Sequence, residues 1–251
     1  MNILVCIKRV PMTGAKIVLT DDAQAINTQH LGFTFSPHEE CAVEEAVRIL
    51  EQHGGSATVL TLGSDESNEQ LRYALSMGMK EAILLETNGE DWGPMATANA
   101  IVEAVKQHGP FDLLMFGNES ADSGGYQVGV RVAHALDMPC VTGLKGLEVE
   151  GDKVLAKKEI SGGHEVYEVV LPAVVTVKEG LNYPRYPSVP GRLRAKKAPI
   201  ETLSPQPIDE GFQKIKLHVP PEEVSHVDVL GEGGGAAPKV VEIMKELGLI
   251  A

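Results

Sequence analysis

From residue 3 to residue 136 the chain repeats one cadence four times: a short, mostly apolar run, continuous over residues 3–7, then a longer stretch with apolar residues at helical spacing. The runs cover residues 3–7, 57–62, 82–85 and 111–116. None alternates apolar with polar, so each reads as a strand buried on both faces. The stretch after the first run opens on Ser36, Pro37 and Glu39, a capping box with proline at the first helical position. Val43, Val47 and Leu50 follow at helical spacing, and Gly54-Gly55 ends the helix. Further helices are expected over residues 64–78 (capped by Ser64 or Asp65), 95–108 and 126–136. Four β-then-α units in a row require an α/β fold: a doubly wound parallel sheet with helices on both faces.

Past Pro139 the texture changes. Residues 144–149, 154–160 and 165–170 read as strands joined by tight turns at Gly151-Asp152 and Gly162-Gly163, a β-hairpin addition, and residues 171–177 as another buried strand. Residues 180–207 are rich in proline and basic side chains, which suggests an extended arm. A short strand over 226–230, a glycine cluster and a final helix over 238–247 close the chain, the helix carrying Val240, Val241, Met244 and Leu247 on one side. That stripe suits folding back or docking on a partner. The expected division is a nucleotide-binding domain, 1–180, and an arm, 181–251.

Aromatic residues make up only 4% of the 251 residues, so the core has to come from Val, Leu, Ile, Ala and Met. A formal net charge of -13 argues against nucleic-acid partners and anionic membrane surfaces. Locally the sign reverses: Lys178, Arg185, Arg192, Arg194, Lys196 and Lys197 face one acid, Glu179, within residues 178–197. Such a patch is a candidate docking surface. Cys6, Cys41 and Cys140 are widely spaced and form no CxxC, which argues against a disulfide framework or a cysteine-held metal. The opening residues read as a strand rather than a leader, and no run approaches the ~20 apolar residues of a membrane span. A cytoplasmic protein without direct membrane insertion is expected.

A doubly wound sheet binds its ligand at the carboxyl ends of the strands, where the strand order reverses. With the common order 3-2-1-4-5, the loops there are residues 8–14 and 117–127. The second is longer than the usual ~4–6 residues of a βα turn. Ser123, Gly124 and Gly125 precede a helix with no acid in its first turn, which suits a phosphate. Glu39 and Glu40 in the first turn after Ser36 would repel one. Gly231, Gly233 and Ala236 mimic part of a dinucleotide fingerprint, but no βα unit and ribose-binding acid follow. GxxxxGKS/T, HExxH and GxSxG are all absent, and nothing nominates a nucleophile or general base. The residues alone thus indicate a nucleotide-binding α/β domain with an oligomerisation arm.

One stretch is more specific. Lys158-Glu159-Ile160 with Gly162-Gly163, then LPAVVT over residues 171–176, then Asn182 with Pro184-Arg185-Tyr186, then Ala195-Lys196-Lys197 resemble, in order, the signature of electron-transferring flavoprotein beta subunits. ILVCIKRVP, SPHEECAVEEAVRI, ALSMGMKEAI and FGNESADSGGYQVG extend the resemblance over nearly the whole chain. It implies an adenine-nucleotide alpha-hydrolase-like fold and a non-enzymatic half of a heterodimeric electron carrier. The partner alpha subunit would carry FAD, with this chain forming one wall of the flavin site and holding AMP. Electrons would come from acyl-CoA and related dehydrogenases of fatty acid oxidation and leave to a quinone oxidoreductase. Carried over, the AMP contacts fall on Cys6, Ser36, Pro37, His38, Glu39, Leu62, Gly117, Asp122, Ser123, Gly124, Gly125, Tyr126, Gln127 and Val128. The dehydrogenase-docking loop falls on residues 186–197, with Tyr186, Val189, Arg192, Arg194, Lys196 and Lys197.

The sequence departs from the family pattern in places. Val189 stands where a leucine anchor is usual, burying about one methylene less, ~0.8 kcal/mol. Lys158 stands for the usual arginine and forgoes bidentate pairing. The loop around Asp122 lacks the D-D-D-x-N-Q-T-G form of the mitochondrial type, and electron-bifurcating members place a second FAD there. Two other readings are a stand-alone adenine-nucleotide-sensing module, against which the arm speaks, and an adenylating enzyme, which would need SGGxDS where this chain has KRVPMTG.

Overall fold

Apolar runs without a polar face have to lie between two layers, and they do. The computed structural model describes residues 1–12, 14–211, 214–221 and 227–250. In chain order the elements are β1 (Asn2–Ile7), β2 (Val10–Pro11), β3 (Phe33–Thr34), α1 (Pro37–His53), β4 (Ser56–Gly63), α2 (Asn68–Met77), β5 (Glu81–Glu86), α3 (Pro94–His108) and β6 (Leu113–Gly117). There follow α4 (Val128–Ala135), β7 (Cys140–Glu150), β8 (Lys153–Ile160), β9 (Gly163–Val170), β10 (Ala173–Val177), α5 (Val189–Lys197), β11 (Glu201–Leu203) and α6 (Ala237–Glu246). None of these helices is long and apolar enough to cross a membrane.

A nine-stranded sheet runs in the order β11-β5-β4-β1-β6-β10-β7-β8-β9. The pairs from β11 through β7 are parallel, and β7-β8-β9 are antiparallel. Its centre, β5-β4-β1-β6-β10, is the expected 3-2-1-4-5 order. Cys6 pairs with Leu60 on one side and Phe116 on the other, so the order reverses between β1 and β6. One face carries α1 and α2 over Ile3, Val5, Val59 and Met115. The other carries α3 and α4 over Leu4, Leu60, Leu114 and Val174. Side chains alternate between the two cores along each strand, the consequence of a strand's two-residue period.

The added strands reach further into the sheet than a bare hairpin. β7 starts as a parallel neighbour of β10 and ends as the antiparallel partner of β8. Its register shifts between Leu144 and Gly146, and Gly143, at φ 74, donates its N–H to Thr176 Oγ1 at 2.9 Å.

Contacts divide the chain into two units, Met1–Val18 with Ile26–Lys214, and Leu19–Ala25 with Ile215–Ala251. Within the first, the stretch expected to be an extended arm folds into α5 and β11. Ser188 caps α5 by accepting from Gly191 N, and β11 lengthens the sheet beside β5. In the second unit, Leu217 N donates to Ala23 O and Gln24 Nε2 to Ile215 O, both at 2.8 Å. α6 follows a short 3-10 turn, Gly233–Ala236, and buries none of its side chains. Of the strand expected over 226–230, His226 lies outside the described residues and residues 227–230 are irregular.

Candidate functional site

The carboxyl ends of β1 and β6 meet the first turn of α1. Ser36 is extended, at φ -67 and ψ 154, and its Oγ accepts from Glu39 N at 3.4 Å. Glu39 Oε2 in return accepts from Ser36 N at 3.0 Å. The other carboxyl oxygen accepts from Lys8 N at 3.1 Å, just beyond β1. One buried carboxyl thus ties the start of α1 to the exit of β1. Burial pushes its pKa up to about 8, against the Ser36 and Lys8 hydrogen bonds and the Lys8 charge and with the charge of Asp122. The repulsion of phosphate expected from an ionised Glu39 is therefore largely removed at neutral pH. Burial, with the Glu39 charge adding, also pushes the Cys6 thiol up, so Cys6 is an uncharged lining residue.

Gly117 ends β6 against this carboxyl. A Cβ there would stand 2.7 Å from Glu39 Cγ and 3.3 Å from Glu119 O, so only glycine lets the strand exit so close. Lys8 Nζ then reaches Asp122 Oδ2 at 2.6 Å and joins the two loops that flank the reversal point. Burial alone would raise the Asp122 pKa, but Lys8, Ser120 and the Ser123 N–H outweigh it and hold the carboxyl below its ordinary range. Beyond Asp122 the turn is built locally: Ser123 N donates to Asp122 Oδ1 at 2.7 Å and Gly124 N to Ser120 O at 3.0 Å. Gly124 and Tyr126 are left-handed, at φ 54 and 56. Gly125 has open space around its Cβ position, and the first turn of α4 has neither an acid nor a side-chain cap. Exposed backbone leading into an uncapped helix start fits a phosphate.

An acid nevertheless stands beside this turn. The Glu119 carboxyl lies 3.4 Å from His38 Nε2, accepts from the Tyr126 hydroxyl, and approaches the Cβ position of Gly124 to 3.6 Å. His38 Nδ1 accepts from Glu179 N at 2.7 Å, so in the neutral ring Nε2 carries the proton that faces Glu119. Direct contacts therefore join Ser36, Glu39, Gly117 and Asp122 through Lys8, with Cys6 beneath. Glu119 links His38 to Tyr126, and Pro37 holds the first helical position of α1. Leu62 and Val128 pack on the α3/α4 core, and Gln127 Oε1 is taken by Arg131 Nη2 at 2.9 Å. Lys8 and Glu119 are the site residues the motif reading missed. Both belong to loops it had selected, but their reach depends on how those loops fold back.

Of the residues expected to dock a partner, Val189, Arg192, Arg194, Lys196 and Lys197 lie on a helix rather than a loop, and Tyr186 precedes it. Gly191 and Ala195 are buried on one side of α5, and Val189 and Leu193 are 72% and 61% exposed on the other, four residues apart. Tyr183 and Tyr186 are more than nine-tenths exposed, and Arg192, Arg194, Lys196 and Lys197 surround the apolar pair. Arg185 leaves this patch: it bonds Glu44 at 2.8 Å and Glu51 at 2.6 Å, and those hydrogen bonds raise its pKa further. A cavity of about 520 Å³ opens at the amino ends of the strands, lined by Asn2, Ser56, Lys80, Glu81, His108 and Glu201 among others. A second, of about 420 Å³, lies beside Arg9, whose guanidinium sits 3.4 Å over the Phe33 ring. Neither includes the β1/β6 crevice, whose case rests on strand order and hydrogen-bonding geometry, stronger guides than enclosed volume for a phosphate held on backbone.

Similar proteins narrow the identity. Residues 24–208 match the family profile described as electron transfer flavoprotein domain. The electron transfer flavoprotein subunit beta of Bacillus subtilis (strain 168) is 33% identical over 253 residues, 98% of each chain. That of Syntrophomonas wolfei is 34% identical over 248 residues, 98% of this chain and 96% of its own. The Homo sapiens subunit is 31% identical over 258 residues, 100% of this chain and 99% of its own. With the fold and the signature residues of the arm in place, the chain belongs to the electron transfer flavoprotein beta-subunit family.

Proposed function

We propose that the chain works with an alpha subunit as an electron carrier, holding AMP at the β1/β6 crevice and forming one wall of the FAD site. The observation that carries the nucleotide reading is the closure of that crevice by Lys8 and Asp122 beside the Ser123–Gln127 turn and the uncapped start of α4. Cys6 and the backbone of residues 36–39 line the side away from the turn, where an adenosine fits better than a phosphate. FAD supplies the redox chemistry when bound; these residues bind and orient. In this reading residues 1–180 hold the nucleotide, and partners meet residues from 181 onward.

Electrons arrive from acyl-CoA and related dehydrogenases docking on α5 and leave to a quinone oxidoreductase, in the cytoplasm. The exposed pair Val189 and Leu193 within a ring of cations suits a partner pocket with an apolar floor and an acidic rim. A second reading puts another FAD in place of AMP. The open space at Gly125 and the exposure of Tyr126 leave room for a ligand longer than a mononucleotide.

Co-production with the alpha subunit, followed by nucleotide extraction, tests both. One FAD with one AMP supports the first reading, and two FAD the second. A yellowless homodimer carrying ATP would overturn both in favour of a stand-alone sensing module.

A further inference from the structure

We infer that Glu39 is a positioning residue for the nucleotide: its carboxyl locks the two strand exits together and carries a proton while phosphate is bound. This rests on the nucleotide reading of the β1/β6 crevice.

Glu39 sits where three segments converge, accepting from Ser36 N on α1 and Lys8 N beyond β1 while its Cγ fills the space opposite Gly117. At 5% exposure it is largely removed from the solvent that would stabilise a charge. The carboxyl therefore does not reach out to a ligand; it fixes the backbones that would. A protonated carboxyl keeps acceptor capacity on both oxygens, so the lock survives neutralisation.

The charged surroundings decide the protonation. The ionisable groups around Glu39 are Cys6 on β1, Lys8 beyond it, Asp122 and Glu119 on the β6–α4 loop (Glu119 with its carboxyl turned to His38), and its helix neighbours His38 and Glu40. Lys8 favours the ionised form, but it is committed to Asp122 at 2.6 Å. Asp122, held ionised, opposes a second negative charge. A phosphate entering the crevice adds another negative charge and drives the carboxyl further toward its neutral form. The step balances simply: the carboxylate oxygen takes one proton from solvent as the nucleotide binds. An ionised Glu39 would repel phosphate from the crevice; in this inference its proton removes that obstacle to a phosphate seated across from it at the Ser123–Gln127 turn.

The test uses the full chain with its alpha subunit and AMP as the probe. Calorimetric titration from pH 6.5 to 9.5, in buffers of different ionisation heat, gives affinity and proton exchange together. Expected for the unmodified protein is a Kd that rises above pH 8, approaching about tenfold per pH unit, with proton uptake on binding. Glu39→Gln should flatten the alkaline limb and abolish the uptake, which a purely structural role would not do. An identical profile in Glu39→Gln overturns the inference, as does the absence of proton uptake at pH 8.5 in the unmodified protein. The second measurement needs no variant and stands even if Glu39→Gln does not fold. Absence of AMP binding at every pH overturns the nucleotide reading itself, a result distinct from binding without pH dependence.

Discussion

Arg72 of α2 caps α5 by donating through Nη1 to the carbonyl oxygen of Ala195 at 2.7 Å. The same nitrogen lies 3.2 Å from Lys196 O and 3.3 Å from Ala198 O. The last carbonyls of a helix have no partners within it, and here a neighbour's cation supplies one. Arg72→Met keeps much of the stem's packing and removes the donor. We expect a loss of about 1.5–3 kcal/mol, the usual range for a hydrogen bond to a charged group. Hydrogen exchange at the α5 amides should quicken more than at β1 or β6.

Gly191 should tolerate no side chain. A Cβ there would lie 2.5 Å from Ser76 O and 3.1 Å from Ser188 Oγ, and the first of these is backbone. Gly191→Ala should push α5 off α2 and cost about 1–3 kcal/mol. Thermal unfolding would register this as a fall of roughly 2–4 °C per kcal/mol.

Glu44 gives an acid-side prediction. Burial alone would raise its pKa, but the hydrogen bonds of Arg185 and Arg48 outweigh burial and lower it. A depressed carboxylate stabilises the fold above its unfolded pKa and loses that contribution as pH falls through the folded value. Arg185→Met leaves Glu44, 3% exposed at its side chain, with Arg48 as its remaining cation. The variant should be about 2–3 kcal/mol less stable near pH 7, somewhat below the usual cost of breaking a fully buried pair. The gap should narrow below pH 4, as denaturant titrations at the two pH values would show.

Glu39 has the opposite sign. Its pKa is raised to about 8, so its contribution is complete below the ordinary 4.5 and is lost as pH rises through 8. Glu39→Gln should therefore gain on the unmodified chain in denaturant midpoint between about pH 5 and 8, at up to about 1.4 kcal/mol per pH unit, and no further above that. Parallel curves across that interval would count against a protonated Glu39.

In the proposed docking role, the exposed side of α5 makes two separable contributions. Val189→Ala and Leu193→Ala should slow nothing at encounter but raise the dissociation rate from a dehydrogenase, together by at least tenfold, since each buried side chain contributes ~1.5–3 kcal/mol. Reversing Arg192, Arg194, Lys196 and Lys197 to Glu should instead cut the association rate and its salt dependence. Stopped-flow electron transfer would separate the two, and the extracted nucleotide should stay the same.

What could be read from the sequence was local or topological. The Ser36–Glu39 capping box is written in four residues, and the alternation of apolar runs with helical stripes leaves few sheet orders once right-handed crossovers are imposed. α5 was hidden because its local start signals, Ser188 and Pro190, sit in a proline-rich basic stretch with no apolar stripe at helical spacing. Its stability comes from Ser188 before it, Arg72 across from it, and two small residues lying flat on α2. β11 is three residues long and exists because β5 presents an open edge. In the crevice, strand order alone selects the loops 8–14 and 117–127, whereas Cys6, Leu62 and residues 36–39 are expected only from the resemblance. The Lys8–Asp122 bridge spans 114 positions, and Glu119 meets Tyr126 across a loop turned back by the left-handed residues Gly124 and Tyr126. No spacing rule reaches that far.

The stretch bearing α5 is fastened at both ends. Ahead of it, Asn182 and Arg185 are bound to α1; behind it, β11 is hydrogen-bonded into the sheet. A partner meeting this surface therefore has no folding step to wait for and little chain entropy to quench. Recognition of that kind can be brief without being vague: contacts form at the pace of diffusion and separate as a unit. In the proposed carrier role, which requires meeting one protein, leaving it and finding the next, such rapid turnover serves better than tight binding.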